Sequence, residues 1–152
     1  MRKEFFTQLY VEMQRNQRIF FITGDLGYGL ADHIRNDFPD RFINTGAAEQ
    51  TMMGVAVGLA LSGKVPVVYS ITPFLLFRPF ETIRNYISHE SIPVTLVGSG
   101  RDDDYGHDGF SHFAGDDDIL KQLPNIMFIK EDSFNLQEIV NSGKPTYLNL
   151  KR

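Results

Sequence analysis

Glu49 stands out for its surroundings. It lies in Asn44–Ala60, NTGAAEQTMMGVAVGLA, where a polar turn (Asn44, Thr45, Gly46) leads into small and apolar residues. From Ala47 to Leu61 the other polar side chains are Gln50 and Thr51. A helix apolar on nearly all faces is a buried helix. A carboxylate at its start has two readings. It complements the helix dipole in the first turn, or it is a partly buried group tuned for proton work.

Other residues could work beside it. Phe74, Phe77 and Phe80 are spaced three apart, next to Pro73 and Pro79. At helical spacing they form either core or an aromatic wall for a flat heterocycle. Arg78 and Glu81 on the same stretch read as a solvated pair. His107-Asp108-Gly109-Phe110-Ser111-His112 puts two imidazoles and a carboxylate in a glycine-flanked loop. Helical His spacing for a metal site is absent. The acidic triplets Asp102–Asp104 and Asp116–Asp118 read as solvated acids and helix-start carboxylates. Gly24–Gly29 is G-x-x-G-x-G, which is not the dinucleotide order, and there is no Walker A sequence.

The elements that must position these residues alternate. Helical spacing is expected over 3–15, with Phe5, Phe6, Leu9, Val11 and Met13 as its apolar positions. Short apolar runs at 18–23, 41–43, 65–71, 93–97, 125–130 and 146–150 read as six strands. Between them, helices are expected over 30–38, 47–62, 74–89 and 133–141, with a helical turn at 119–123. Gly63 closes the 47–62 helix and Ser133 is the expected N-cap of the last. Gly54 and Gly58 share one helix face and allow another backbone to approach. Strands alternating with helices imply an α/β fold with a mainly parallel sheet covered on both faces. Ligands of such sheets bind outside the carboxyl ends of strands. The loops there are 24–29, 44–46, 72–74 and the long 98–118, which holds five Gly and seven Asp.

Composition narrows the class. The 152 residues suit one domain, with 42% hydrophobic and 22% charged residues. A net charge of −4 without a basic run leaves no nucleic-acid footprint. Without cysteine there is no disulfide or thiolate site. No apolar run approaches the roughly 20 residues of a membrane span. The charged N-terminal stretch has no signal-peptide core, so a cytoplasmic protein is expected.

Taken in order, the quoted pieces resemble one family. Asn44–Gln50 (NTGAAEQ), then GxAxGLAxxGxxPVV over 54–68, FLLFRPFETIR over 74–84, HDGFSH over 107–112 and LPNI over 123–126 look like the pyrimidine-binding domain of the transketolase family. The resemblance runs through roughly residues 18–150. It implies a three-layer α/β/α fold that binds thiamine diphosphate. Glu49 matches the glutamate that hydrogen-bonds N1′ of the aminopyrimidine and favours the imino tautomer needed for proton removal at the thiazolium. Phe74, Phe77 and Phe80 match the aromatic trio around that ring, with Phe77 as the stacking residue and Phe80 where many members have Tyr. Asp108 and His112 match the Asp and His of a D-G-x-T-H motif that contacts donor hydroxyls and assists proton transfers, which makes both catalytic as well as substrate-binding candidates, with Ser111 in place of Thr. His107 and Arg78 are placed with them as substrate-binding. Asp25 matches an acid near the cofactor at the subunit boundary.

The family's diphosphate-binding motif, G-D-G followed by Asn, is missing, and so are the residues of a C-terminal domain. If the sequence is a full gene product, the resemblance therefore implies one pyrimidine-binding domain over 1–152, active with a separate diphosphate-binding subunit that holds Mg²⁺ (or Ca²⁺); if it is a domain cut from a longer protein, those parts lie outside it. Self-association is also expected, and the glycine face of the buried helix reads as a contact with another subunit. Met1 and the helix before Arg18 fit a natural start. Three functions follow for testing. The first is two-carbon ketol transfer between a ketose and an aldehyde. The second is a 2-oxo acid decarboxylase or carboligase. The third is a non-catalytic partner-binding module.

Overall fold

A computed structural model describes residues 1–113, 115–130 and 132–152; within that span the side chain of Asp103 lies outside the description. Six strands form one sheet: β1 (Ile19–Thr23), β2 (Phe42–Asn44), β3 (Val65–Ile71), β4 (Thr95–Ser99), β5 (Met127–Ile129) and β6 (Thr146–Leu150). Their order is β2-β1-β3-β4-β6-β5 and every neighbouring pair is parallel. The helices are α1 (Arg2–Arg15), α2 (Asp32–Asp37), α3 (Glu49–Leu61), α4 (Thr72–Phe77), α5 (Phe80–Thr82), α6 (Asp116–Leu120) and α7 (Leu136–Asn141), with a π-helix over Ile83–His89. This is the α/β fold with helices on both faces that the alternation of elements predicts.

The pleat sorts the core into two halves, because successive strand residues point to opposite faces. Ile22, Val68, Leu96 and Tyr147 face one layer, packed with Met52, Met53 and Ala56 of α3, Leu75 and Leu76 of α4, and Ile83 and Ile87. Their strand neighbours Phe21, Val67, Tyr69, Val97 and Leu148 face the other, against α1, α2 and α7. In α1 the buried stripe is Phe5, Phe6, Leu9 and Met13, the helical spacing that lays one face on the sheet. Phe6 meets Tyr69 edge-on at 5.1 Å and Phe21 at 5.7 Å. Each such fully buried aromatic contributes about 1.5–3 kcal/mol.

Several local expectations are corrected. The 74–89 helix is broken: α4 ends at Phe77, Arg78 and Pro79 intervene, and the chain resumes as α5 and the π-helix. Proline removes an amide donor and crowds the preceding turn, so a break there is its ordinary effect. α3 is not buried all round; Gln50, Thr51, Gly54, Gly58 and Leu61 lie along an exposed side. β4 runs two residues later than 93–97, so Gly98 and Ser99 are strand rather than loop. The last helix is capped by Asn135, whose side chain accepts a hydrogen bond from the Glu138 amide, and not by Ser133.

The order of strands sets the site. From β1 the chain moves outward to β2, then crosses back to β3 on the other side of β1, and from β3 it continues away to β4. Connections therefore leave β1 and β3 in opposite directions, and a crevice opens outside their carboxyl ends.

Candidate active site

Three connections converge on that crevice. β1 ends at Thr23 and runs into Gly24; β2 ends at Asn44 and leads to α3; β3 passes directly into α4 at Thr72. Gly24 sits where space is tight. A Cβ there would stand 3.2 Å from the Gly46 carbonyl oxygen and 3.8 Å from Glu49 Oε1. The turn at Gly46 and the first turn of α3 can thus close over the end of β1.

Glu49 is the first residue of α3 and is buried, 4% exposed. The helix has no side-chain cap, so the carboxylate is not spent on its own amides. It accepts a hydrogen bond from Arg78 Nη1 at 2.6 Å. Arg78 is therefore not the partner of Glu81, and the pairing crosses between α3 and the break after α4. Its guanidinium carbon also lies 3.7 Å from the ring centroid of Phe74, a cation–π distance. Arg78 remains 45% exposed in its side chain.

Beside this pair lies an open cleft of about 400 Å³, lined by Pro73, Phe74, Phe77, Arg78, Phe110, Ser111, Phe113 and Gly115. Its walls are largely apolar, and Phe77, Phe110 and Phe113 are exposed to solvent. Phe110 and Phe113 belong to the long loop and flank His112. A pair of phenylalanines in a Gly- and Asp-rich loop is the signal that could have marked them. His112 stands edge-on to Phe74, 4.9 Å between ring centroids, and shares a hydrogen bond with Ser111 Oγ at 3.1 Å.

The remaining candidates are placed less centrally. Phe80 turns away from the cleft, half-buried against the hydrophobic layer beneath α3, because the break at Pro79 resets the helix phase. Asp108 contacts His107 at 3.5 Å rather than His112, and both are exposed on the loop. Asp25 is exposed, with φ 60°, and accepts hydrogen bonds from the Tyr28 hydroxyl and from Asn44 Nδ2. Those bonds, the one from Tyr28 first, hold its carboxyl below the usual carboxylate range. Among the described residues no group of three or more His, Asp or Glu is arranged to hold a metal ion. Nor is any helix among them long and apolar enough to cross a membrane.

A buried polar cluster underlies the cleft and escapes sequence reasoning. Asp116, the first residue of α6, is 7% exposed rather than solvated. Its Oδ2 accepts from Asn149 Nδ2 at 2.6 Å and from the Tyr147 hydroxyl at 3.2 Å. Thr72 Oγ1 donates to Asn149 Oδ1 at 3.3 Å. The cluster ties the return of the long loop to β6 and to the start of α4. Burial first, and then the Asp116 charge, push the Tyr147 hydroxyl well above its ordinary value. Asp117 and Asp118, by contrast, are exposed and pair with Lys130 and Lys121.

The sequence matches a family model described as transketolase, pyrimidine binding domain, over residues 1–134. It is 30% identical over 159 residues to a putative transketolase C-terminal section of Methanocaldococcus jannaschii, covering 100% of this chain and 50% of that one. It is 33% identical over 120 residues to an apulose-4-phosphate transketolase subunit of Actinobacillus succinogenes, covering 75% of this chain and 39% of that one. Among solved structures it superposes on a split-gene transketolase described as an inactive beta4 tetramer, with TM-score 0.78 and 30% identity, over 97% of this chain and 49% of the other. The chain thus spans half or less of the length of each of these relatives.

Proposed function

Because the chain belongs to the transketolase pyrimidine-binding domain family, we propose that it supplies one half of a thiamine-diphosphate-dependent active site whose reaction is two-carbon ketol transfer from a ketose to an aldehyde. The observation that carries this reading is Glu49, a carboxylate 3% exposed in its side chain beside an aromatic cleft. A shielded acid suits a ring nitrogen that must be hydrogen-bonded, and apolar walls suit a flat ring. The residues present therefore fit the aminopyrimidine of the cofactor. When bound, thiamine diphosphate supplies a carbon nucleophile that no side chain provides.

The tasks of the chain's own residues follow from their places. Glu49 holds a proton at the pyrimidine N1′, a task that burial favours by keeping competing water away. Phe74 and Phe77 orient the ring and exclude solvent. His112, set against Phe74, handles a proton on the substrate side. Asp108 and His107, exposed on the same loop, hydrogen-bond the donor's hydroxyls. Asp25 lies at the rim beside Asn44 and meets the cofactor at the subunit boundary. The diphosphate and its Mg²⁺ (or Ca²⁺) belong to a separate diphosphate-binding chain. Relatives named as one subunit of a transketolase and as a split-gene product support that division, and the beta4 description supports self-association.

The test is reconstitution. The chain is mixed with a diphosphate-binding partner, thiamine diphosphate and Mg²⁺, and transfer from a ketose to an aldehyde is followed. Glu49→Gln is expected to lower the rate by at least about 100-fold, the usual scale for losing an acid–base group. An unaffected variant would remove Glu49 from the mechanism. Release of CO₂ from a 2-oxo acid in place of ketol transfer would move the assignment to a decarboxylase or carboligase. No binding of the cofactor with any partner would leave the non-catalytic module.

A further inference from the structure

Arg78 occupies the two contacts that a flat, donor-bearing ligand of this cleft would use. Its Nη1 donates to Glu49 Oε1 at 2.6 Å, and its planar guanidinium lies over Phe74 with 3.7 Å between its central carbon and the ring centroid. An aminoheterocycle entering the site would turn its N–H edge to the same carboxylate and its ring to the same aromatic wall. The guanidinium already lies on the Phe74 face, so a ring laid on that face meets Arg78. We propose that Arg78 is an internal stand-in for the ligand's ring: it holds the Glu49 carboxylate and the Phe74 face, and ligand entry is an exchange in which Arg78 leaves.

Three features support an exchange rather than a fixed ion pair. The first is asymmetry of burial. Glu49 is enclosed and Arg78 is 45% exposed in its side chain, so the arginine has an open path to water and the glutamate does not. The second is backbone position. Arg78 lies in the gap between α4 and α5, next to Pro79, and is not clamped within a continuous helix. The third is the energetics of the carboxylate. Among the described residues Arg78 is the side chain that hydrogen-bonds Glu49, and a buried carboxylate stripped of its partner is strongly unfavourable. The carboxylate therefore needs a donor in place. It will release that donor only to a ligand that brings its own. An apolar ring of the same shape could stack on Phe74 but could not replace the hydrogen bond, so the exchange also selects for ligands with an N–H edge.

The inference rests on the reading of Glu49 given above, and the experiment separates the two. The intact chain, labelled with ¹⁵N and in its aromatic rings with ¹³C, is titrated with 4-amino-2,5-dimethylpyrimidine. Signals of the Phe74 and Phe77 rings report occupancy of the cleft, and the Arg78 Nε signal reports whether the guanidinium remains on Glu49. On saturation the Arg78 signal is expected to move to the position of a solvent-exposed arginine. Arg78→Met, which needs no displacement, is expected to bind the pyrimidine about tenfold more tightly. Ring signals that shift while the Arg78 signal stays in place would overturn the exchange and leave the reading of the cleft standing. Equal or weaker binding by a folded Arg78→Met would do the same. Ring signals that do not respond in either protein would overturn the exchange, and the reading of Glu49 then stands or falls on the reconstitution above. If Arg78→Met fails to fold, the wild-type Arg78 signal alone decides the matter.

Discussion

Gly98 and Tyr147 meet so closely that a Cβ on Gly98 would stand 2.8 Å from the Tyr147 hydroxyl, and 2.6 Å from Thr72 Oγ1. Two adjacent strands, β4 and β6, thus leave room for a hydroxyl pair only because one of them lacks a side chain there. Gly98→Ala is expected to destabilise the chain by about 1–3 kcal/mol, the ordinary cost of one methyl forced into a filled core. Thermal unfolding should show a fall in Tm of roughly 2–4 °C per kcal/mol for a chain of this size. An unchanged Tm would mean that the cluster yields without cost.

Tyr147 predicts an alkaline limit. Its proton is held more tightly in the folded chain than in the unfolded one, because burial and the Asp116 charge disfavour the phenolate. Stability from this group is complete below the unfolded value of about 10 and declines above it as the unfolded chain ionises. The decline is about 1.4 kcal/mol per pH unit until the folded group also titrates. Tyr147→Phe should be less stable at neutral pH, through loss of the hydroxyl's partners, yet lose less stability above that point. Urea unfolding at a series of alkaline pH values reads the slope directly.

Phe77 separates binding from stability. It is half-exposed on the cleft wall and does not belong to either buried layer. Phe77→Ala should change stability by less than about 0.5 kcal/mol, as for surface positions in general. The same variant should weaken binding of an aminopyrimidine severalfold. A drop in Tm without a change in binding would reverse the assignment and make Phe77 structural.

Asn135 is a simpler case. Its Oδ1 accepts from the Glu138 amide at 3.4 Å and its Nδ2 donates to Glu138 Oε1 at 2.9 Å, a reciprocal pair at the start of α7. Asn135→Ala is expected to cost about 1 kcal/mol, and Ser133→Ala very little. Equal effects of the two substitutions would place the cap elsewhere.

The strands and helices were legible because buried parallel strands are continuous apolar runs and each is closed by glycine, proline or a polar turn. What stayed hidden depends on pairs distant in sequence. Arg78 reads as solvated because Glu81 lies three residues away; its partner lies 29 residues back, on another helix. Asp116 looked solvated because it heads a run of three acids. Its partners Tyr147 and Asn149 come from the last strand, and no local pattern announces them. Phe80 shows the same limit from the other side: regular helical spacing places it with Phe74 and Phe77, and after the break it packs half-buried against the core. The acid at Glu49 was found from its setting of small residues, whereas its counter-ion required the fold.

The sheet is bordered on one side by β2 and on the other by β5, each three residues long. Such short margins offer only a few backbone amides and carbonyls, one of the ways a sheet edge is kept from recruiting further strands. Among the described residues, growth of the sheet from chain to chain is therefore disfavoured at both ends. That leaves the helices and loops, where side chains rather than backbone choose the partner, as the favoured surfaces for assembly.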